Sequence, residues 1–487
     1  MTFAALPRAL EGSTAFDTRW VFTLWDPCSN DRRSSSDVFS VDDLVECVLR
    51  EAFQNILDSG SGVMRIRFVK VPYKVLCDVV ALDELVERGA VSMRRFGLEI
   101  DGDGMVPCLY VEDEGCGLGG PYKEASIPGE KPGGLQSYLR GLGNTSKDDG
   151  AAGSKGQGRT GIMRASSLNT VIVETKRKVV TDPATGLQEG GETLVFGLSY
   201  LDHHVHLGTR YLQDGRFMRR TKAPGERGDP LLPYIDEEGR EITRLLGCGR
   251  PEGVDGTTQF YPSIRPEVTF HRVVAEAVKN HFIAVLRGLK VEVSDFDGRK
   301  VVIDSESLPT LAADVEFEGS ESRAALVDSV ARMLDAMKDP VDVGEVSGRI
   351  ADHPFAPDVL EALKLDLASG KPVCLSGEYV IRKNNYKGRG PCSGRLTFGV
   401  ATDRRVGSGL SVLARGGIIL VSQSGAPGTI TMSLSENDPV HHMLRSGEDV
   451  SHTKWAPSKM AEEGWPLAAA KTVTWLRLIA GPTSAGE

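Results

Sequence analysis

An acid and an amide stand one helical turn apart in the segment that runs from Glu51 through Asn55 to Asp58. If the segment is helical, Glu51 and Asn55 share a face. An amide oxygen there can hold a Mg²⁺ ion, and a carboxylate beside it can activate a water molecule that attacks a phosphate. Acidic and amide residues at this spacing are more commonly a solvated helix face, so the pattern alone assigns no function.

A second candidate lies in residues 111–119, where a predicted strand delivers an acid into a glycine-rich turn. The Asp113 carboxylate can accept a hydrogen bond from the amino group of a base. Gly115 and Gly117 let the backbone approach a ligand closely and adopt positive φ. In isolation, a β-turn decorated with acids is the better explanation of this pattern.

A third candidate is a glycine-rich loop, residues 144–161, that leads into an apparent helix. Backbone N–H groups at the start of such a helix form an anion site, and Lys or Arg side chains add positive charge. The alternative is a disordered surface loop. The candidate phosphate-binding residues of the loop are Lys155, Gly156, Gly158, Arg159, Thr160 and Gly161.

The fourth segment, Gly256-Thr257-Thr258, opens a predicted strand, where a hydroxyl can bond a base edge or a bridging water. Taken alone, this segment is almost no evidence for a nucleotide site. In their order along the chain, the four segments resemble the N, G1, G2 and terminal Gly-Thr boxes of the GHKL ATPases. That superfamily includes DNA gyrase, heat-shock chaperones of the ninety-kilodalton class, histidine kinases and MutL. The resemblance covers about residues 18–295.

The resemblance implies that the chain binds ATP and Mg²⁺, and it gives each candidate residue a role. Glu51 would be the general base that activates water, and Asn55 would be the Mg²⁺ ligand. Asp113 would bind adenine, with Thr257 as its helper. The other residues expected at the nucleotide are Asp58, Gly115, Gly117, Lys155, Gly156, Gly158, Arg159, Thr160 and Gly161.

The segments also separate branches of the superfamily. A glutamate four residues before Asn55 favours hydrolysis, because the kinases lack water activation at this position. No helix pair with a phosphoacceptor histidine precedes the site, which disfavours a sensor kinase. The chain has no Walker A sequence, and its glycine turn lacks a dinucleotide-binding pattern. The lid departs from the family pattern at Gly156 and Arg159, which leaves its phosphate contacts open.

The second half of the chain offers one further candidate, the tripeptide His452-Thr453-Lys454. In gyrase-like and topoisomerase VI-like members of the superfamily, a Gln-Thr-Lys loop from the second domain reaches the γ-phosphate. By that resemblance, Lys454 would be a catalytic residue that stabilises charge on the transferred phosphoryl group. The alternative is a surface lysine near a turn.

These residues need a scaffold, which the apolar pattern predicts to be of the α+β class. Helices are expected at 41–57, where Ser40 is a plausible N-cap, and at 267–288, whereas 214–256 reads as turn-rich. The resemblance implies a GHKL (Bergerat) α/β sandwich with a mixed sheet, followed by a two-layer α/β transducer-like domain. The expected divisions are an N-terminal segment 1–17, an ATP-binding domain 18–295, a linker 296–320 and a C-terminal domain 321–487.

Composition limits the class of protein. The chain has 487 residues, a net charge of −10 and eight cysteines without zinc-binding spacing. We expect a cytoplasmic protein with reduced thiols, no membrane segment and no secretory signal. The cluster Asp202-His203-His204-Val205-His206 is interpreted as incidental polar surface, since neighbouring strand residues point to opposite sides.

The leading functional hypothesis is a switch in which ATP binding closes the lid, and slow hydrolysis resets it. The layout is most similar to the MORC and chaperone branches, so a protein partner or client and an ATP-dependent homodimer are expected. Nucleic acid is a further candidate partner, and antiviral defence is a setting suggested only by analogy. Two alternatives stay open: a non-hydrolysing ATP-sensing scaffold of a complex, and a DNA-clamping topoisomerase-like subunit.

Overall fold

The computed structural model describes only part of the chain, which divides into two compact units. The described residues are 20–25, 43–92, 97–119, 135, 138–139, 162–181, 186, 188–220, 231–347, 365–381, 392–406, 410–415, 418–422 and 428–435. The first unit takes 1–146, 155–273 and 291–302, and the second takes 147–154, 274–290 and 303–487. The domain boundaries expected from the sequence stay predictions.

Strands dominate the first unit, and helices interrupt them at a few points. The elements up to residue 235 are β1 (Trp20–Leu24), α1 (Leu44–Asp58), β2 (Val63–Pro72), α2 (Tyr73–Val80), α3 (Leu82–Ser92), β3 (Met105–Asp113), β4 (Thr170–Lys176), β5 (Val180–Thr181), β6 (Gln188–Glu189), β7 (Thr193–Tyr200), β8 (His204–His206), β9 (Thr209–Phe217), β10 (Arg219–Arg220), β11 (Leu231–Leu232) and β12 (Tyr234–Ile235). The chain continues with α4 (Glu237–Leu246), β13 (Gly256–Tyr261), α5 (Phe270–Asn280), α6 (Phe282–Leu286), β14 (Lys290–Ser294) and β15 (Lys300–Ile303). Of these, α6 and most of α5 belong to the second unit.

Eleven of these strands form one large sheet in the order β1-β9-β7-β4-β13-β3-β2-β14-β15, with β12 paired to β7 and β8 to β9. The combination of this sheet with helices confirms the α+β class. The GHKL-specific layout stays a prediction.

The register at the centre of the sheet places the candidate residues in rows. β13 pairs antiparallel with both β3 and β4, and Thr257 lies opposite Thr175. Thr258 lies opposite Glu112 on one side and Glu174 on the other. Because side chains alternate between the two faces of a sheet, Thr257 and Thr175 point away from the row of Glu112, Thr258 and Glu174.

Helix α1 begins later than its sequence suggested. Its N-cap is Asp43, whose carboxylate accepts from the backbone N–H groups of Val45 (2.8 Å) and Glu46 (3.2 Å). The prediction of Ser40 as N-cap was therefore wrong, because Asp43 satisfies the free N–H groups of the first turn. The apolar side chains of the helix are buried as its periodicity predicts: Val48, Leu49, Phe53 and Ile56.

Two other expectations about helices were wrong. The stretch 267–288 is two helices, α5 and α6, because His281 leaves the helical conformation at φ −119° and ψ 8°. The stretch 214–256 contains α4, whose sequence is dominated by charged residues. Its side chains Ile242, Thr243 and Leu246 are nevertheless buried, so one face of this charged helix packs against the core.

The second unit contains a helix packed on a smaller sheet. Its elements after residue 303 are α7 (Leu308–Ala313), a 3₁₀ turn (Val315–Phe317), α8 (Glu321–Ala336), β16 (Val341–Ser347), β17 (Val373–Ile381), β18 (Cys392–Thr402), β19 (Leu410–Arg415), β20 (Ile418–Ser422) and β21 (Thr429–Ser435). The sheet order is β16-β17-β18-β21-β19-β20, with both parallel and antiparallel pairs. Met333 of α8 lies over Gly399 of β18, where a Cβ atom would collide with it. This is a helix-on-sheet layer, and its transducer-like nature stays a prediction.

No helix in the part of the chain that the structure describes has the length and apolar character needed to cross a membrane.

Candidate functional site

The Asp113 carboxylate lies at the end of β3, where three separate segments meet. Its side chain is buried, and Oδ1 accepts hydrogen bonds from the backbone N–H groups of Gly115 (2.7 Å) and Thr257 (3.3 Å). Burial raises the pKa of Asp113, while these two amides and the positive charge of Arg250 oppose that shift. Both of these hydrogen bonds are accepted by Oδ1, so that oxygen is held against the turn on one side and the start of β13 on the other.

The glycine turn after Asp113 is pressed against the end of α1. The backbone N–H of Cys116 donates to the carbonyl of Ser59 (3.3 Å), the residue at which α1 ends. A Cβ atom on Gly115 would collide with the side chain and the carbonyl of Ser59. Only glycine therefore fits at 115, which explains part of the turn's composition through packing.

The other side of the turn lies against the end of β4. Gly117 has φ +69°, and a Cβ atom there would collide with the carbonyl of Lys176. The backbone N–H of Leu118 donates to Thr175 Oγ1 (2.8 Å), which lies 3.4 Å from Thr257 Oγ1. Thr175 thus connects the turn to β13.

Helix α1 carries the proposed catalytic residues, and its end lies against this turn. Glu51 is buried, and Asn55 and Asp58 are half-buried in the last two turns of the helix. The backbone carbonyl of Asn55 accepts from the N–H of Ser59 (3.0 Å), so the metal-ligand candidate is one turn from the residue that touches Cys116. The structure therefore brings the end of the helix, at Ser59, into contact with the turn at Gly115 and Cys116.

Several candidate residues lie outside the described residues. They are the lid residues Lys155, Gly156, Gly158, Arg159, Thr160 and Gly161, and the C-terminal Lys454. The described chain resumes at Ile162, which is buried. Two residues later, Arg164 lies near α1, since its charge and that of Arg50 oppose the rise that burial causes in the pKa of Cys47.

Sequence reasoning missed three residues of the site. The sequence identifies Thr175 only as the last residue of a predicted strand. A polar residue at the end of a central strand is the feature that could have marked it as a site residue. Glu174, which is buried, and Arg250, which is half-buried, pair behind Asp113: the Arg250 backbone N–H donates to Glu174 Oε2 (3.2 Å). Two residues of opposite charge with 75 residues between them give no local signal.

The histidine cluster at 202–206 also needs correction. His204 is buried and lies 3.1 Å from Arg88, so its interpretation as incidental surface was wrong. Across the described residues, no group of three or more His, Cys, Asp and Glu side chains could hold a metal ion.

Comparison with known proteins assigns no family to the chain. A scan against protein-family models finds no match, and a search of curated proteins finds none at a significant level.

Proposed function

We propose that this chain binds ATP with Mg²⁺ and hydrolyses it slowly, as a GHKL-type ATPase. One observation carries the proposal: Asp113 is held by the start of β13 while the turn after it touches the end of α1. Thr257 donates to Asp113, and Cys116 donates to Ser59. Three of the four segments that resemble the superfamily's boxes thus meet, although more than 50 residues of sequence separate each from the next.

Adenine recognition is the role that the geometry supports for Asp113. A carboxylate whose Oδ1 is fixed by two backbone N–H groups can accept a further hydrogen bond at Oδ2 from an exocyclic amino group. The Asp113 side chain as a whole is largely buried, and a hydrogen bond to the base would be stronger there than at the protein surface.

Hydrolysis is the role that fits the face of α1. Glu51 and Asn55 stand one turn apart on the helix, so a carboxylate that would take a proton from water and an amide oxygen that would hold the cation share one face. Hard cations prefer oxygen ligands, and Mg²⁺ commonly uses one or two protein oxygens together with substrate phosphates, which the half-buried Asn55 amide suits. When bound, Mg²⁺ would neutralise charge on the phosphate oxygens.

The proposed conformational switch depends on ATP binding at Asp113 and hydrolysis at α1. ATP would order the lid at 144–161, and Lys454 would couple the second unit to the γ-phosphate. The closed state would act on a partner protein or on nucleic acid, and two protomers would close on each other.

The experiment is a comparison of nucleotide binding and turnover in the wild type and Glu51→Gln. We expect the wild type to bind ATP in the presence of Mg²⁺ and to release phosphate slowly. Glu51→Gln should keep ATP binding and lose turnover by a factor of about 100 or more, since it removes the general base. Glu46→Gln, on the first turn of the same helix, is the matched control and should retain turnover.

Each result separates the hypotheses. A wild type that binds ATP without turnover favours the non-hydrolysing scaffold. DNA binding that strengthens steeply at low salt favours the DNA-clamping role. A wild type that binds no ATP with Mg²⁺ overturns the proposal.

A further inference from the structure

A half-buried guanidinium lies behind the adenine-binding candidate, on the other side of the sheet. Arg250 stands between α4 and β13, and its Nη2 donates to the backbone carbonyls of Asp113 (2.6 Å) and Asp255 (2.7 Å). Its Nη1 donates to Thr258 Oγ1 (3.0 Å). One planar group therefore holds the end of β3 and the start of β13 together.

This contact occurs where the strand pairing stops. The ladder between β3 and β13 ends at the pair of Glu112 and Thr258, one residue short of Asp113 and Thr257. Beyond that pair, the Arg250 guanidinium takes over the bridging of the two backbones. The hydrogen bond from Thr257 N–H to Asp113 Oδ1 is long, at 3.3 Å, so small movements of either strand end would break it.

Gly256 makes room for the arginine. Its φ is +127°, and a Cβ atom would lie 2.6 Å from Arg250 Nη2 and would also collide with the Asp113 carbonyl. The Gly of the Gly-Thr pair is thus required by the close approach of a guanidinium and a carbonyl, and not only by a ligand.

Glu174 secures the arginine from the neighbouring strand. Its Oε2 accepts from the Arg250 backbone N–H, and its side chain is only 2% exposed. Burial lowers the pKa of Arg250, and the negative charges of Asp113, Glu174 and Glu112 oppose that shift. Removing a guanidinium from water costs free energy, and the hydrogen bonds of Arg250 offset that cost only while the strand ends stay in place. Arg250 therefore favours one arrangement of the ends of β3 and β13.

We propose that Arg250 is the positioning residue that sets the preference of this site for adenine, an inference that rests on the proposed ATP binding. By fixing the end of β3 against the start of β13, it keeps Thr257 N–H on Oδ1 and aims Oδ2 at the amino group of the base. Without Arg250, the Asp113 carboxylate rotates. The site then loses its preference for a 6-amino purine over a 6-oxo purine, while its affinity for purine nucleotides in general changes less.

The test compares ATP with inosine triphosphate, which has a carbonyl in place of the 6-amino group and so has no exocyclic donor for Asp113 at position 6. Dissociation constants with Mg²⁺ are measured by titration calorimetry. We expect the wild type to prefer ATP by about tenfold or more, as a hydrogen bond to a charged group warrants. In Arg250→Gln, ATP affinity should fall by about tenfold, while the affinity for inosine triphosphate changes by less than about twofold.

Two further variants serve as a control and as a substitute for Arg250→Gln. Arg244→Gln removes an exposed arginine of α4 and should leave both affinities unchanged. If Arg250→Gln does not fold, Thr258→Val removes one acceptor of the same guanidinium and should lower the ATP preference by about threefold.

The outcomes are distinguishable. An unchanged ATP preference in folded Arg250→Gln, or an equal loss for both nucleotides, overturns the positioning role and leaves ATP binding intact. A wild type that binds neither nucleotide overturns the proposed function itself.

Discussion

The backbone N–H of Thr257 donates to the Asp113 carboxylate across 144 positions of sequence. This contact joins the two segments that would recognise the base, and it holds the carboxylate in a buried position at the sheet centre. Under the proposed function, recognition of the base would depend on the alignment of these two strands as much as on the acid itself.

Asp113→Asn should weaken ATP binding by about tenfold or more, because an amide replaces the charged acceptor and is free to present its NH₂ group to the base. Binding is measured by calorimetry with Mg²⁺, and folding by thermal unfolding. Asp103→Asn, in the exposed turn before β3, is the control and should bind ATP as the wild type does. Equal affinities of wild type and Asp113→Asn would remove Asp113 from the site.

Gly115→Ala should lower the free energy of unfolding by about 1–3 kcal/mol, because the added methyl group collides with Ser59 at the end of α1. The matched control is Gly119→Ala in the same turn, where a Cβ atom meets no other atom within 4 Å. Its effect should stay within about 0.5 kcal/mol. Urea denaturation of the three proteins measures the difference, and similar stability of both variants would show that the turn does not press on the helix.

Local pattern and motif spacing were enough to predict part of this site. The apolar period of α1 placed Glu51 and Asn55 on a helix, and an acid before two glycines placed Asp113 at a turn. The start of α1 was misplaced since Ser40 and Asp43 are both good N-caps, and only the hydrogen bonds to Asp43 decide between them.

The rest depends on contacts that no local pattern encodes. Arg250 reaches Asp113 because the register of β13 against β3 and β4 brings distant residues together. The break at His281 interrupts a stretch whose apolar periodicity suits one continuous helix. In both cases tertiary contacts or local backbone geometry override what the residue types indicate.

Glu174 should make stability depend on pH. Burial raises its pKa to about 7, above the ordinary 4.5, so the folded protein keeps a proton that the unfolded chain has released. The contribution to stability is complete below about pH 4.5 and is lost as pH rises through about 7. Glu174→Gln should remove up to about 3 kcal/mol of this dependence.

Urea denaturation at pH 5 and at pH 8 measures the effect of Glu174. The free energy of unfolding should fall more between these values in the wild type than in Glu174→Gln. Glu189→Gln, at an exposed position on β6, should behave as the wild type. Parallel profiles for wild type and Glu174→Gln would contradict the shift.

His204 should make stability depend on pH in the opposite sense to Glu174, with stability lost as pH falls. Burial lowers its pKa, and the adjacent Arg88 charge adds to this. Since arginine only donates hydrogen bonds, His204 Nε2 accepts from Arg88 Nη1 (3.1 Å), and Nδ1 donates to the Asp202 carbonyl (2.9 Å). Only the neutral ring fits both contacts. Arg88 itself is fixed between the rings of Phe22 and Tyr211, at 4.6 Å from each centroid.

The unfolded chain therefore takes up a proton at His204 before the folded protein does. Stability from this residue is complete above the ordinary pKa of 6.5 and is lost as pH falls below it. His204→Gln keeps an acceptor for Arg88 and removes the titration, so its loss of stability between pH 7.5 and pH 5.5 in urea denaturation should be smaller than that of the wild type. His203→Gln, the exposed neighbour, should follow the wild type. If His204→Gln lost as much stability on acidification as the wild type, the imidazole would not be held neutral by Arg88, and another group would have to account for the acid sensitivity.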